Sequence, residues 1–343
     1  MEHVLVTGGA GFIGSHFVKR IVRADDVARV TVLDALTYAG HIENLGTAFF
    51  SDKLRFVQGD IRDRAHVDEV MSAGPTAVVH FAAESHVDRS YDAADGFLST
   101  NVLGTQVLLH AAHRHGVEMF VHVSTDEVYG PLPEGSATED FPLRPSVPYA
   151  AAKAASDLVA LSAYQTLGLP VCVTRSSNCY GPYQYPEKVI PLFVTRLLRG
   201  LPVTLHGQGQ HIRNWLHVED NCAGVEAVLR NGTPGKVYNL GGGTDLSSKE
   251  LTGYLLDICG ATSDKVTYIP DRPANDVRYS MDWTKARDLG YQPTRCLKDG
   301  LAETADWYRR NPDRWAPLAT GDLRAVLPAA RTVTTALEAR HAR

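Results

Sequence analysis

Short apolar runs rich in valine recur through the first half of the chain and alternate with segments of helical character. The runs occupy Val4–Val6, Val30–Leu33, Leu54–Val57, Ala77–Phe81, Met119–Val123 and Val171–Thr174. This alternation predicts an α/β fold, in which helices cover both faces of a doubly wound parallel sheet. Because ligands of such folds bind at the carboxyl ends of the strands, the polar residues after each run are the first candidates for a functional site.

The pattern changes after Asn178, where proline and aromatic residues become frequent and the apolar runs become short and irregular. We expect residues 1–180, rejoined by about 216–240, to form the larger domain. Residues 181–215 and about 241–320 are expected to form a smaller C-terminal lobe that closes over it. Residues 321–343 carry no packing signal, and they are expected to be a weakly ordered tail or an isolated helix.

Composition narrows the range of partners. The chain has 343 residues, with 39 acidic and 34 basic side chains and no basic block, which favours a small-molecule ligand over nucleic acid. Five scattered cysteines without a C-x-x-C pair favour the reducing cytoplasm over a disulfide framework or a zinc site. The chain opens on an apolar strand and has no apolar run of about 18 residues, so we expect neither a signal peptide nor a membrane span. His110, His113 and His115 do not have zinc-motif spacing, and no metal is expected.

Three glycines follow the first apolar run at the spacing G-x-x-G-x-x-G. Gly8 permits a sharp turn, and Gly11 lets the backbone approach a pyrophosphate. Gly14 lets the next helix, expected over Ser15–Arg23, pack on the strand. Asp34 ends the second run about 20 residues later, where a carboxylate reads a ribose 2′-hydroxyl. The motif predicts a dinucleotide site; the alternative is the tight glycine turn of any α/β protein.

Tyr149 and Lys153 lie one helical turn apart, so their side chains leave the same face of the helix. An ammonium close to a phenol favours the phenolate and lowers the phenol pKa. The phenolate then takes a proton from a sugar hydroxyl while hydride leaves the same carbon. Ser124, at the end of the preceding run, is placed to hydrogen-bond that hydroxyl. The alternative is a surface lysine beside an interface tyrosine.

The chain resembles the extended short-chain dehydrogenase/reductases that act on nucleotide sugars, and within them the 4,6-dehydratases. The motifs that carry the resemblance keep their order over most of residues 3–280: TGGAGFIGSH (7–16), LDALTYAG (33–40), GDIRD (59–63), HFAAESHVDRS (80–90), TNVLGT (100–105), HVSTDEVYG (122–130), PYAAAKAASD (148–157), NCYGPYQYPEKVIPLF (178–193) and IRNWLHVED (212–220). The resemblance implies an NAD-binding Rossmann domain and the dehydration of dTDP-glucose to dTDP-4-keto-6-deoxyglucose in deoxysugar biosynthesis. An epimerase or decarboxylase of nucleotide sugars, the same dehydration on a UDP-sugar, and a non-catalytic dinucleotide sensor remain alternatives.

The tripeptide Thr125-Asp126-Glu127 distinguishes dehydration from the other reactions. Oxidation of a hexose at C4 acidifies the hydrogen at C5, so loss of water across C5–C6 needs a base for that proton and an acid for the departing hydroxyl. Two neighbouring carboxyls serve if their environments separate their pKa values. The resemblance implies that Glu127 is the base, that Asp126 is the acid, and that NAD later returns its hydride to C6. The alternative is a pair of solvated carboxylates.

The resemblance also implies the ligand contacts. Those of the cofactor are Gly8, Gly11, Phe12, Ile13, Gly14, Asp34, Ala35, Leu36, Thr37, Asp60, Ile61, Phe81, Ala82, Ala83, Ser85, Thr100, Tyr149, Lys153 and Cys179. Those of the substrate are Ser85, Thr125, Asn178, Lys188, Val189, Ile190, Phe193, Thr204, Leu205, His206, Arg213, Arg272 and Asn275. Asp34 favours NAD over NADP, because a carboxylate repels a 2′-phosphate. His206 and Asn275 depart from the family pattern, which leaves the choice between dTDP and UDP open.

Two segments rich in alanine, leucine and valine, Asn101–His115 and Tyr149–Leu167, are expected to be helices. In the family such helices pack against their mates in a second subunit as a four-helix bundle. The resemblance therefore implies an isologous homodimer.

Overall fold

The computed structural model describes residues 1–271 and 276–315. In these ranges the strands are β1 His3–Thr7, β2 Arg29–Asp34, β3 Leu54–Gln58, β4 Ala77–His80, β5 Met119–Thr125, β6 Val171–Ser176, β7 Asn178–Tyr180, β8 Val203–His206, β9 Ile212–His217, β10 Val237–Leu240, β11 Thr244–Ser247 and β12 Val266–Ile269. The α-helices are α1 Phe12–Ile21, α2 Arg64–Met71, α3 Val87–Asp92, α4 Ala94–Phe97, α5 Thr105–Arg114, α6 Pro148–Leu167, α7 Val189–Leu197, α8 Val218–Asn231, α9 Ser248–Cys259, α10 Thr284–Arg287 and α11 Leu297–Arg310.

Seven strands form a central sheet in the order β10-β6-β5-β4-β1-β2-β3, and every neighbouring pair is parallel. The strands are apolar because helices cover both faces; Val6, for example, pairs with Val32 on one side and Val79 on the other, and all three are buried. Two separate apolar clusters occupy the two faces of the sheet. The predicted α/β fold with a doubly wound parallel sheet is confirmed.

Two small sheets, β11-β9-β7 and β12-β8, lie outside the central one. They share a third apolar cluster with α7, α9 and α11. The chain returns to the central sheet once more, when β10 pairs with β6. The proposed division into a dinucleotide domain and a smaller lobe stays a prediction, and the tail expected at 321–343 lies outside the described residues. No helix in the described ranges is both long and apolar enough to cross a membrane.

Three boundaries differ from the sequence expectation, and each difference lies at the predicted site. Helix α1 begins at Phe12, not at Ser15, so Gly14 lies inside its first turn. Strand β5 continues to Thr125, so Ser124 is still part of the sheet. The helix expected from Asn101 is instead a π-helix over Leu98–Gly104 that continues into α5. Such π segments are frequent at functional sites.

Candidate active site

The glycine-rich loop between β1 and α1 is shaped to accept a ligand backbone at close range. Gly8 has φ +69°, and a Cβ there would lie 2.5 Å from the amide nitrogen of Ala82 in the loop after β4. A Cβ at Gly14 would collide with the Gly8 carbonyl oxygen. Gly11 is the N-cap residue of α1 and carries no side chain to occupy the N-terminus of the helix. The loop thus fits the pyrophosphate of a dinucleotide, which helix N-terminal N–H groups bind.

Asp34 joins this loop to the segment after β2. Its Oδ2 accepts from the Ala10 N–H at 2.9 Å and its Oδ1 from the Leu36 N–H at 2.8 Å. The side chain is buried, and burial raises its pKa above the usual value while these backbone donors act in the opposite direction. Asp60, the other predicted acidic contact, is bound by Arg62, whose Nη2 donates to its Oδ2 at 2.6 Å. Asp34 therefore holds the glycine-rich loop and the segment after β2 together, in addition to its predicted contact with a ribose.

Tyr149 and Lys153 both emerge from α6, one helical turn apart; Lys153 is buried and Tyr149 is half-buried. The Lys153 Nζ donates to the carbonyl oxygen of Val123 at 2.7 Å. The pKa of Tyr149 is raised, first by burial and then by the charge of Glu127, while its hydrogen bond with the Thr125 hydroxyl lowers it. The predicted lowering of the phenol pKa by Lys153 stays a prediction, since burial and the charge of Glu127 set the direction of the shift. Burial lowers the pKa of Lys153 itself to about 8.

The carboxyl pair lies where β5 ends and a single 3-10 turn, Asp126–Tyr129, begins. Asp126 is 2% exposed, and burial, followed by the charge of Glu127, raises its pKa to about 8. Thr125 donates to the Asp126 Oδ1 at 3.3 Å and accepts from the Glu127 N–H at 3.3 Å. The Asp126 Oδ2 and the Ser124 Oγ are buried without a hydrogen-bond partner in the described part of the chain. The site thus holds a protonated carboxyl at neutral pH beside a second carboxyl.

The loop after β7 brings further predicted residues to this edge of the sheet. The Lys188 Nζ donates to the carbonyl oxygen of Ser85 at 2.9 Å, which ties the loop to the segment after β4. The Asn178 Oδ1 is buried with no hydrogen-bond partner among the described residues. Burial raises the pKa of the Cys179 thiol, which argues against a nucleophilic role.

Arg213, at the start of β9, is fixed by its surroundings. Its Nη1 donates to the carbonyl oxygens of Ile212 and Asp276, each at 2.8 Å, and its guanidinium lies 4.4 Å from the centre of the Tyr279 ring. Its positive charge lowers the pKa of Asp126 against the effect of burial. The structure thus places Arg213 in the electrostatic environment of the carboxyl pair.

Several predicted substrate contacts lie in the apolar core of the smaller sheets. Ile190, Phe193 and Leu205 are at most 3% exposed, and their side chains belong to that cluster. The motif resemblance did not reveal this, because apolar residues beside a site and in a core look alike in sequence. His206 remains accessible, and Arg272 and Asn275 lie outside the described residues.

Sequence reasoning missed two buried polar arrangements behind the site. Asn101, in the π-helix, donates from Nδ2 to the Glu84 carbonyl oxygen at 2.9 Å and accepts from the Glu84 N–H at 2.8 Å, which fixes the loop after β4. Asp157, one turn past Lys153, accepts from the Arg175 Nε at 2.9 Å with both side chains buried. A polar asparagine and an aspartate inside otherwise apolar helices were the available signals. Among the described residues, no group of His, Cys, Asp and Glu side chains could hold a metal ion.

Comparison with known proteins places these features in context. A sequence profile of the family described as GDP-mannose 4,6 dehydratase matches residues 5–304. The chain is 53% identical over 324 residues to the dTDP-glucose 4,6-dehydratase of Streptomyces niveus. The aligned region covers 93% of this chain and 96% of that relative. It is 48% identical over 305 residues to the low-salt glycan biosynthesis protein Agl12 of Haloferax volcanii, which covers 89% and 98% of the two chains.

Solved structures of nucleotide-sugar enzymes are also similar to this chain. The dTDP-glucose 4,6-dehydratase DesIV of Streptomyces venezuelae, crystallised with NAD and TYD bound, has a TM-score of 0.89 and 51% identity, over 92% of this chain and 99% of that one. The UDP-glucose 4-epimerase of Thermotoga maritima, solved with UDP-glucose, has a TM-score of 0.84 and 31% identity, over 90% and 99% of the two chains.

Proposed function

Because the chain belongs to the nucleotide-sugar 4,6-dehydratases of the extended short-chain dehydrogenase/reductase family, we propose that it dehydrates dTDP-glucose to dTDP-4-keto-6-deoxyglucose with NAD as cofactor. It is then a hydro-lyase. One observation carries the proposal: a buried carboxyl with a pKa of about 8, Asp126, lies beside Glu127 in the electrostatic environment of Tyr149. An epimerase has no use for such an acid–base pair.

The residues around the glycine-rich loop fit NAD. Gly8, Gly11 and Gly14 leave room for the pyrophosphate, and the loop lies directly against Ala82. The Asp34 carboxylate, at the end of β2, disfavours a 2′-phosphate in its neighbourhood. When bound, NAD supplies a hydride acceptor for C4, a hydride donor for C6 and, in its oxidised form, a positive ring charge. A cofactor that is regenerated in each turnover suits a site that holds it tightly.

Oxidation at C4 requires that Tyr149 accept the proton of the C4 hydroxyl. The Thr125 hydroxyl supports the phenolate by hydrogen bonding, whereas burial and Glu127 oppose it. Lys153 lies one helical turn away, and burial lowers the pKa of its ammonium to about 8. We infer that phenolate formation depends on the positive charge of the oxidised cofactor as well as on the side chains of this chain.

Elimination then uses the carboxyl pair. Glu127 removes the C5 proton, and Asp126 gives its proton to the departing C6 hydroxyl, so that one water leaves. Glu127 later returns a proton to C5. After one turnover Tyr149 has gained one proton and Asp126 has lost one. Proton exchange with solvent returns both groups to their starting state. Burial keeps Asp126 protonated near neutral pH, which is the state that an acid needs.

Two variants test this assignment. Glu127→Gln should keep NAD and dTDP-glucose binding but lose the ketosugar product by about two to four orders of magnitude, the range of general acid–base catalysis. Tyr149→Phe should bind both ligands without reducing the cofactor. Product mass separates dehydration, which loses water, from epimerisation, which loses nothing, and from decarboxylation, which loses carbon dioxide. Normal turnover by Glu127→Gln would refute the assigned base, and UDP-glucose in parallel tests the nucleotide.

We also propose that the protein works as a cytoplasmic homodimer. Leu103 and Leu158, on the two predicted bundle segments, are 56% and 59% exposed, which is unusual for leucine and suits a four-helix contact. Sedimentation at micromolar concentration should give a dimer, and a stable monomer would refute this contact.

A further inference from the structure

The last described segment of the chain crosses from the smaller sheets to the glycine-rich loop. Trp307 of α11 packs on Tyr183 with ring centres 4.7 Å apart. The Arg314 guanidinium lies 5.3 Å from the Tyr183 ring centre and 5.6 Å from that of Trp307. Tyr183 has φ +69°, a conformation that tyrosine rarely adopts without support from its neighbours. The segment is therefore docked at a defined place, and Arg314 is held over two aromatic rings.

From that place Arg314 starts a chain of hydrogen bonds. Its Nη2 donates to the Asn44 Oδ1 at 2.7 Å, across 270 positions of sequence. Asn44, only 3% exposed, donates from Nδ2 to the carbonyl oxygen of Ala10 at 2.8 Å. Ala10 belongs to the glycine-rich loop, and its N–H donates to Asp34 at 2.9 Å. The C-terminal segment is thus connected to both elements that we assign to the cofactor.

The donor at one end, the Arg314 guanidinium, and the acceptor at the other, the Ala10 carbonyl, determine the orientation of the Asn44 amide between them. A guanidinium only donates, so Asn44 must turn its oxygen toward Arg314 and its amino group toward the Ala10 carbonyl, which only accepts. Without Arg314 the amide of Asn44 has no charged partner to select this orientation. The flipped amide would place its oxygen against the Ala10 carbonyl oxygen and displace the loop. The backbone N–H of His41 also donates to the Ala10 carbonyl oxygen, at 3.0 Å, so the charge-assisted hydrogen bond of Arg314 adds side-chain support to a loop that a ligand must approach closely.

We propose that Arg314 is a positioning residue for the cofactor: by orienting Asn44 it holds the Ala10 carbonyl and the glycine-rich loop in place, and so it slows the release of NAD. The inference rests on the proposed NAD-dependent function. Arg314 takes no part in the reaction, so it affects cofactor retention and leaves the chemical step unchanged.

The test uses the full-length enzyme and follows both the KM for NAD and the NAD retained after gel filtration. Arg314→Met keeps the aliphatic stem and removes the donors. Asn44→Leu removes both the acceptor for Arg314 and the donor to Ala10 without adding a charge. Each should raise the KM for NAD about tenfold, as expected for loss of one charge-assisted hydrogen bond, with kcat at saturating NAD unchanged. The KM for NAD of the double variant should be no higher than that of either single variant, because both substitutions break the same series of hydrogen bonds.

Two further variants sharpen the result. Arg314→Lys, which retains a charged donor, should recover part of the lost affinity. Arg310→Met is the matched control: Arg310 is 75% exposed and pairs with Asp306 on the surface of the same helix, so its loss should change nothing.

An unchanged KM for NAD in Arg314→Met, or additive effects in the double variant, would overturn the inference. So would a fall in kcat together with the melting temperature at an unchanged KM, since that marks a purely structural role. In each case a wild type that still binds NAD and dehydrates dTDP-glucose leaves the proposed function intact. A wild type that does neither refutes the proposed function itself.

Discussion

The raised pKa of Asp126 predicts a specific loss of stability at alkaline pH. Its ordinary pKa of 3.8 applies to the unfolded chain, whereas burial and the neighbouring Glu127 raise the pKa to about 8 in the folded protein. Between these two values the native state binds a proton that the unfolded state lacks. The free energy of unfolding therefore falls as the pH rises through this window, and the contribution is exhausted above the native pKa.

The size of the effect follows from the linkage relation. A native pKa of about 8 lies two units above pH 6, where the bound proton stabilises the native state relative to its deprotonated form by about 3 kcal/mol. At pH 9 that stabilisation is close to zero. Between pH 6 and pH 9 the ionisation of this carboxyl should therefore lower the free energy of unfolding by about 3 kcal/mol.

Guanidinium chloride unfolding at pH 6 and pH 9, with NAD at saturation, measures this difference. Asp126→Asn replaces the acid with a neutral group of the same shape, so the stability of wild type relative to this variant should drop by about 3 kcal/mol between the two pH values. Glu118→Gln is the control, because Glu118 is exposed and precedes the same strand at the opposite end of the sheet. A difference between wild type and Asp126→Asn that does not depend on pH would refute the assignment of a protonated, buried acid.

Two other substitutions test the frame around the site. Gly14→Ala should abolish retention of NAD in gel filtration, because the new Cβ collides with the Gly8 carbonyl, whereas Gly96→Ala meets no atom within 4 Å and should retain NAD as wild type does. Asp157→Asn should lower the free energy of unfolding by about 3–5 kcal/mol in denaturant titrations, because it leaves the buried Arg175 guanidinium without a charged partner. A loss below about 1 kcal/mol would show that this ion pair does not stabilise the core.

The parts of the account that local sequence determines were predictable. The apolar runs gave the parallel sheet, since a strand buried on both faces must be apolar along its whole length. The glycine spacing and Asp34 located the loop, because only glycine permits the turn at Gly8 and the contact at Gly14. The carboxyl pair was found by resemblance, but the sequence does not show that Asp126 is 2% exposed, which is what raises its pKa.

The parts that depend on distant contacts were not predictable. The pattern Y-x-x-x-K places Lys153 beside Tyr149, yet the ammonium donates to a carbonyl of a different element, β5. Leu205 reads as a site residue in its motif and lies in a core that α7, α9 and α11 complete. Arg314 reaches Asn44 across 270 positions, a separation at which no periodicity or motif carries information.

The central claim is that this chain removes water from a hexose by taking a proton from C5. Turnover of dTDP-glucose in D₂O, followed by mass spectrometry and proton NMR of the sugar, tests it most directly. The account predicts a product lighter by one water that carries solvent deuterium at C5, since Glu127 exchanges its proton before returning it. A product with the mass of the substrate, or one that retains the original hydrogen at C5, would contradict it.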